Sequence, residues 1–271
     1  MRESERKFAE QGIAQLFADA AKPFWAAKIL EAQSLRCGAQ RALYNLITIL
    51  GDNKFRLGVR YAEFCNAAPT LEAGIAAAAM AQDELGHTRN IFPLLREFSW
   101  AKSEIEDGLL RPHYRALSML DQPFASWAEF VATAFLLDQA ITTILESAQD
   151  SAFPGLRQRA RKMVVEERFH GLYGDGWCVS LANGGAAPRA ALDAQLRGRW
   201  EEVLCFFGPD GGAGLKILKD EGVLGAGSGE LRARFLTRIA PVLSEAHLDF
   251  DARALPWERW DMHEWRLKAT T

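Results

Sequence analysis

The chain has 271 residues, 49% hydrophobic and 25% charged, with a net charge of -3 and 4 cysteines. That is the profile of an ordinary globular protein, and without a basic excess it carries no nucleic-acid footprint. The charged start "MRESERKFAEQ" lacks the apolar core of a signal peptide, and no apolar run looks long enough to span a membrane, so a cytoplasmic protein is expected. Cys37, Cys65, Cys178 and Cys205 form no C-x-x-C pair, which speaks for reduced thiols rather than a disulfide or zinc-thiolate framework.

Helical periodicity dominates in chain order. A first long helix runs through "LRCGAQRALYNLITILGDNKFRLGVRYAEFCNA" and breaks at "AAPT". A second covers "LEAGIAAAAMAQDELGHTRNIFPLLREF", with Pro93 kinking or weakening its end. After an irregular stretch, "AKSEIEDGLLRPHYRALSMLDQP", a third helix begins at Ser126, where Glu129 sits at capping-box spacing. "SAFPG" ends it. The fourth helix, "LRQRARKMVVEERFHGLYGDGWCVSLANG", frays at "GDG" or stops at "NGG"; a fifth closes at Gly208 and Pro209. A glycine-rich stretch, a last helix "ELRARFLTRIAPVLSEAHL" and an aromatic tail follow. Residues 38–66 with 70–97, and 126–150 with 155–183, make two antiparallel hairpins. This is the outline of an all-α, four-helix bundle with additional C-terminal helices. No linker divides it, so one domain is expected over 1–271: an N-terminal arm 1–37, a core bundle of about 38–183, and C-terminal helices and tail 184–271.

The chemistry lies in a repeated pattern. Glu84 and His87, then Glu167 and His170, are each Glu-x-x-His on a helix, which sets a carboxylate and an imidazole on one face one turn apart. A single match means little; two, on equivalent helices of two hairpins, match the arrangement that holds two metal ions in carboxylate bundles. The other two helices must then each supply a carboxylate. Glu167 lies 14 residues past a turn near 153, and 14 before that turn falls beside Asp138, an acid in the apolar run "VATAFLLDQAITTIL" that is costly to bury unpaired. Glu84 lies 16 past a turn near 68, and 16 before it is Asp52, with Lys54 close by as an alternative ion-pair partner. The expected metal ligands are therefore Asp52, Glu84, His87, Asp138, Glu167 and His170. Mixed oxygen and nitrogen donors suit iron or manganese, and Met80, Ala81, Met163 and Val164 form a dry wall one turn before the glutamates. Asp83 points about 100° away from Glu84 and is read as an outer or surface group.

These segments resemble the phenylacetyl-CoA ring-epoxidase family, the ferritin-like multicomponent monooxygenases of aromatic-acid (phenylacetate) catabolism. "DELGH", "LLDQA" and "EERFH" are similar to its catalytic subunit, and "APTLE", "SWAEF" and "CFFGPD" follow at similar spacings, over about residues 40 to 250. "LGDN" and "RYAEFC" resemble its structural subunit, which serves as scaffold and has lost metal ligands. The catalytic subunit has glutamate in the first helix, where this chain offers Asp52. The resemblance implies a ferritin-like bundle and two Fe ions with dioxygen as co-substrate. It also implies epoxidation or hydroxylation of an aromatic or acyl-CoA small molecule, a CoA thioester among the candidates. Electrons would come from a separate reductase, within a homo-oligomer or a hetero-oligomer with a related subunit. A scaffold subunit, or oxygenation of an unrelated natural product or amine, are the competing functions.

Overall fold

The computed structural model describes residues 35–101, 113–250 and 254–268. The expected N-terminal arm up to residue 34, and residues 102–112 of the irregular stretch, lie outside the described residues.

Helix α1 spans Cys37–Phe64 and α2 spans Leu71–Ile91. Thr70 caps α2, its side chain accepting from the Ala73 amide at 3.2 Å, with Glu72 in the first turn where the helix dipole favours an acid. The α-helix ends at Ile91, and a 3₁₀ segment, Phe92–Glu97, carries the chain onward. Pro93 explains the change, because its missing N–H withdraws one helical hydrogen bond. Helix α3 spans Trp127–Ser147. Its cap is as expected: Ser126 accepts from the Glu129 amide at 3.2 Å, while Glu129 reaches back to the Ala125 amide at 2.7 Å. Helix α4, Pro154–Asn183, starts with proline at a first-turn position and continues through "GDG" to the "NGG" stop. Then come α5 (Ala186–Phe206), α6 (Ala213–Asp220) and α7 (Ser228–Glu245). A two-stranded hairpin, β1 (Trp260–Asp261) with β2 (Arg266–Leu267), folds back onto α5.

α1 packs along α2, and α3 along α4; α4 joins the hairpins by contacting α2. The fold is thus the expected all-α, ferritin-like bundle, with α5 laid across α3 and α4. One sequence expectation needs correcting. Trp127–Ser147 is long and apolar enough to cross a membrane by length and composition, yet 94% of that window is buried among the other helices, so in this fold it is the central core helix.

α3 also holds a feature that periodicity did not reveal. Residues Ala134–Asp138 are π-helical. Such a turn inserts one residue and rotates everything after it, and it is frequent at functional sites. Asp138 is its last residue. Gly174 on α4 faces this turn, and a Cβ there would stand 3.3 Å from the Phe135 backbone, so glycine permits the close approach of α4.

Candidate metal centre

The structure brings Glu84, His87, Asp138, Glu167 and His170 together between the four helices, each no more than 2% exposed. Oxygen and nitrogen atoms of Glu84, Asp138, Glu167 and His170 gather within 4.8 Å of one another. His170 Nδ1 lies 3.1 Å from Asp138 Oδ2 and 3.2 Å from Glu84 Oε1. His87 Nδ1 lies 2.9 Å from Glu167 Oε1. Thr142, one turn after Asp138, donates to Glu167 Oε2 at 2.9 Å.

Two outer acids complete a crosswise pattern. Glu166 Oε2 is 2.8 Å from His87 Nε2, and Asp83 Oδ2 is 3.3 Å from His170 Nε2. Each acid immediately precedes the glutamate of one Glu-x-x-His and holds the histidine of the other. Both motifs share that preceding acid, a signal the sequence carried. Asp83 is accordingly a half-exposed outer group, as expected, but its contact is across the bundle rather than along its own helix.

The first helix departs from expectation. Asp52 is buried, but its Oδ2 accepts from the Arg115 amide at 2.8 Å, anchoring the segment that leads toward α3. The position facing the centre belongs to Lys54. Its side chain is fully buried, and Nζ donates to Glu84 Oε1 at 2.8 Å, Asp138 Oδ1 at 2.7 Å and Glu167 Oε1 at 2.5 Å. Two residues along a helix is about a 200° rotation, so Asp52 and Lys54 point to nearly opposite sides. Tyr61, two turns on from Lys54, is also fully buried, and its spacing carries no motif that would single it out.

Burial alone would drive the Lys54 ammonium toward neutrality, but Asp138, Glu167 and Glu84 overcome it and hold its pKa well above the ordinary value. Burial would likewise raise Asp138, yet Lys54 and His170 hold it well below the usual carboxylate range. His170, against its burial, is pushed up to about 12, chiefly by Asp138. Glu84 goes the other way: burial, then the neighbouring Asp138, raise it to about 7. Burial and the surrounding carboxylates, Asp138 first, raise the Tyr61 hydroxyl well above its normal range. The Lys54 and His170 cations thus lie against the Asp138 carboxylate, with Glu84 the group inclined to take up a proton.

That arrangement decides what the cage fits. A two-metal carboxylate bundle draws a carboxylate from each of the four helices. Here α2, α3 and α4 each supply one, and α1 supplies an ammonium. Lys54 already engages one oxygen of all three carboxylates. Two divalent ions beside it would add four positive charges to a buried site whose three central carboxylates are already engaged by Lys54, leaving only the half-exposed Asp83 and Glu166 to offset them. The residues therefore do not fit a pair of metal ions with Lys54 in place. The Glu84, Asp138, Glu167 and His170 atoms, within 4.8 Å of one another, have the spacing to surround an ion.

Fold and centre together define a ferritin-like bundle built around a buried carboxylate–histidine cluster. The sequence profile of the phenylacetic acid catabolic proteins matches residues 27–268, and the chain belongs to that family. It is similar to two different components of the 1,2-phenylacetyl-CoA epoxidase of Escherichia coli (strain K12). With one of them it is 25% identical over 202 residues, covering 74% of this chain and 80% of the relative. With the other it is 29% identical over 144 residues, covering 53% of this chain and 46% of that relative.

Proposed function

We propose that this single-domain chain is one component of a multicomponent oxygenase of the phenylacetyl-CoA epoxidase type, pairing with a related metal-bearing partner in the cytoplasm. Its own centre is a locked ion cluster. The observation that carries this reading is Lys54 Nζ within 2.8 Å of all three central carboxylates. It is supported by the relatives, which are two different components of one epoxidase. The buried residues then hold the four helices in register: Lys54 ties α1 to α2, α3 and α4 at one point, and Thr142 and His170 complete the tie.

A second reading has an observation of its own. Both Glu-x-x-His pairs, Asp138 and the π-helical turn are in place, all but the first-helix carboxylate of the set that would serve a di-iron oxygenase acting on an aromatic or acyl-CoA substrate with electrons from an external reductase. That reading requires Lys54 to leave the centre.

The two separate on activity of the chain alone. The purified protein is supplied anaerobically with ferrous iron and a chemical reductant, then given phenylacetyl-CoA and dioxygen. Oxygen consumption no faster than in the protein-free blank, and no oxygenated thioester by mass spectrometry, is the expected result. Substrate-dependent oxygen uptake with an oxygenated product overturns the scaffold reading.

A further inference from the structure

Away from the ion cluster, a cavity of about 140 Å³ opens where the first half of α1, the end of α3, the α5–α6 turn and the β-hairpin meet. Its walls are mainly apolar, with Leu46, Ile49, Ile144, Phe206 and Leu215 among them. Trp265 roofs it, fixed by its Nε1 donating to the Phe206 carbonyl at 2.9 Å. An apolar cavity of roughly 150 Å³ is enough for one benzene ring.

One charged group stands in this apolar wall. The Arg115 main chain is pinned to α1 from both sides: its amide donates to Asp52 Oδ2 at 2.8 Å, and its carbonyl accepts from Asn53 Nδ2 at 3.3 Å. Its guanidinium is steadied by Nη1 donating to Asn45 Oδ1 at 3.0 Å. Among the described residues the buried Nε has no hydrogen-bond partner. A guanidinium stays charged even where burial lowers its pKa. Its preferred partner is a carboxylate, taken up by the planar N–H fork. Arg115 lines the cavity, which sets a charge-assisted partner for a carboxylate in its otherwise apolar wall. Glu264 and Asp261 lie near this guanidinium, but Glu264 is already held by His113 and His263, and Asp261 by the amides of the hairpin turn.

We propose that this cavity is a binding site for a small aromatic monocarboxylic acid, its ring among Leu46, Ile49, Ile144 and Phe206 and its carboxylate on Arg115. The site is separate from the Lys54 cluster, and its occupation does not depend on how that cluster functions. A free acid of this size is the product of thioester hydrolysis or the input to thioester formation, so the site would sense or store the acid form of an aromatic acyl group.

The test is calorimetry of the full chain with benzoate, with benzamide as the uncharged probe of the same shape. The expected result is saturable binding of one benzoate per chain, at least about tenfold tighter than benzamide, as loss of a charge-assisted hydrogen bond implies. Arg115→Gln keeps a donor for Asn45 and should weaken benzoate by at least about tenfold while leaving benzamide unchanged. Leu215→Trp, which fills the cavity, should abolish binding of both. The proposal is overturned by no saturable benzoate binding to the parent chain. Equal affinities for benzoate and benzamide, or benzoate binding unaffected by filling the cavity, overturn it as well.

Discussion

Replacing Lys54 by methionine leaves an unbranched side chain one atom shorter and removes the charge and its three hydrogen bonds. In the native chain Nζ sits 2.5–2.8 Å from three carboxylate oxygens, with nothing exposed to water. Removing one partner of a buried ion pair typically costs about 3–5 kcal/mol, because the other partner is left charged in a poor medium. Three carboxylates lose their partner here, but Glu84, already raised to about 7, escapes by taking up a proton, so the loss should stay near that range. At about 2–4 °C per kcal/mol for a chain of this size, Lys54→Met should melt roughly 6–20 °C below the parent at pH 7. The deficit should shrink at pH 5, where the carboxylates protonate more readily. Thermal unfolding followed by circular dichroism at both pH values provides the readout. A melting temperature at pH 7 indistinguishable from the parent would refute the claim that Lys54 holds this centre together.

Other expectations rest on the same geometry. Thr142→Val removes the donor to Glu167 Oε2 while keeping the shape, and should lower stability by about 1–3 kcal/mol in urea unfolding. Gly51→Ala would bring a methyl 2.3 Å from the Phe92 ring and should cost about 1–3 kcal/mol by overpacking, with the fold retained. The Glu84 carboxyl, raised from 4.5 to about 7, binds more proton in the native than in the unfolded chain between those pH values. Stability should therefore fall as pH climbs through that window, and Glu84→Gln should flatten the slope in a pH series of urea titrations.

Most of the site was legible because its pattern is redundant. Glu84 with His87 and Glu167 with His170 repeat one spacing on two hairpins, and the repeat itself distinguished them from surface pairs. Asp138 followed from its height opposite Glu167 and from the cost of burying an acid in so apolar a run. Asp52 was misplaced for a related reason. Counting residues from a turn gives height along a helix, not the direction a side chain faces. Around this point α1 is buried on every side, with Gly51, Asp52, Asn53 and Lys54 all inside. A helix hydrophobic or buried all round has no amphipathic phase to read, so nothing in the pattern chose between residues half a turn apart. The π-helical turn was equally hidden, because Ala134–Asp138 contains no glycine or proline to mark a break. The outer acid Asp83 was judged by its own helix, whereas its partner His170 lies on the opposite hairpin.

The family assignment and the chemistry of the centre thus stand on different ground. Sequence likeness places the chain among phenylacetic acid catabolic proteins, and one side chain, Lys54, sets its centre apart from a two-metal cage. Iron bound per chain, measured by elemental analysis after anaerobic loading with ferrous iron and desalting, tests that distinction most directly. The parent chain should hold well under one iron, and Lys54→Glu, which restores the fourth carboxylate, should hold substantially more. Two irons bound by the parent chain would contradict the account.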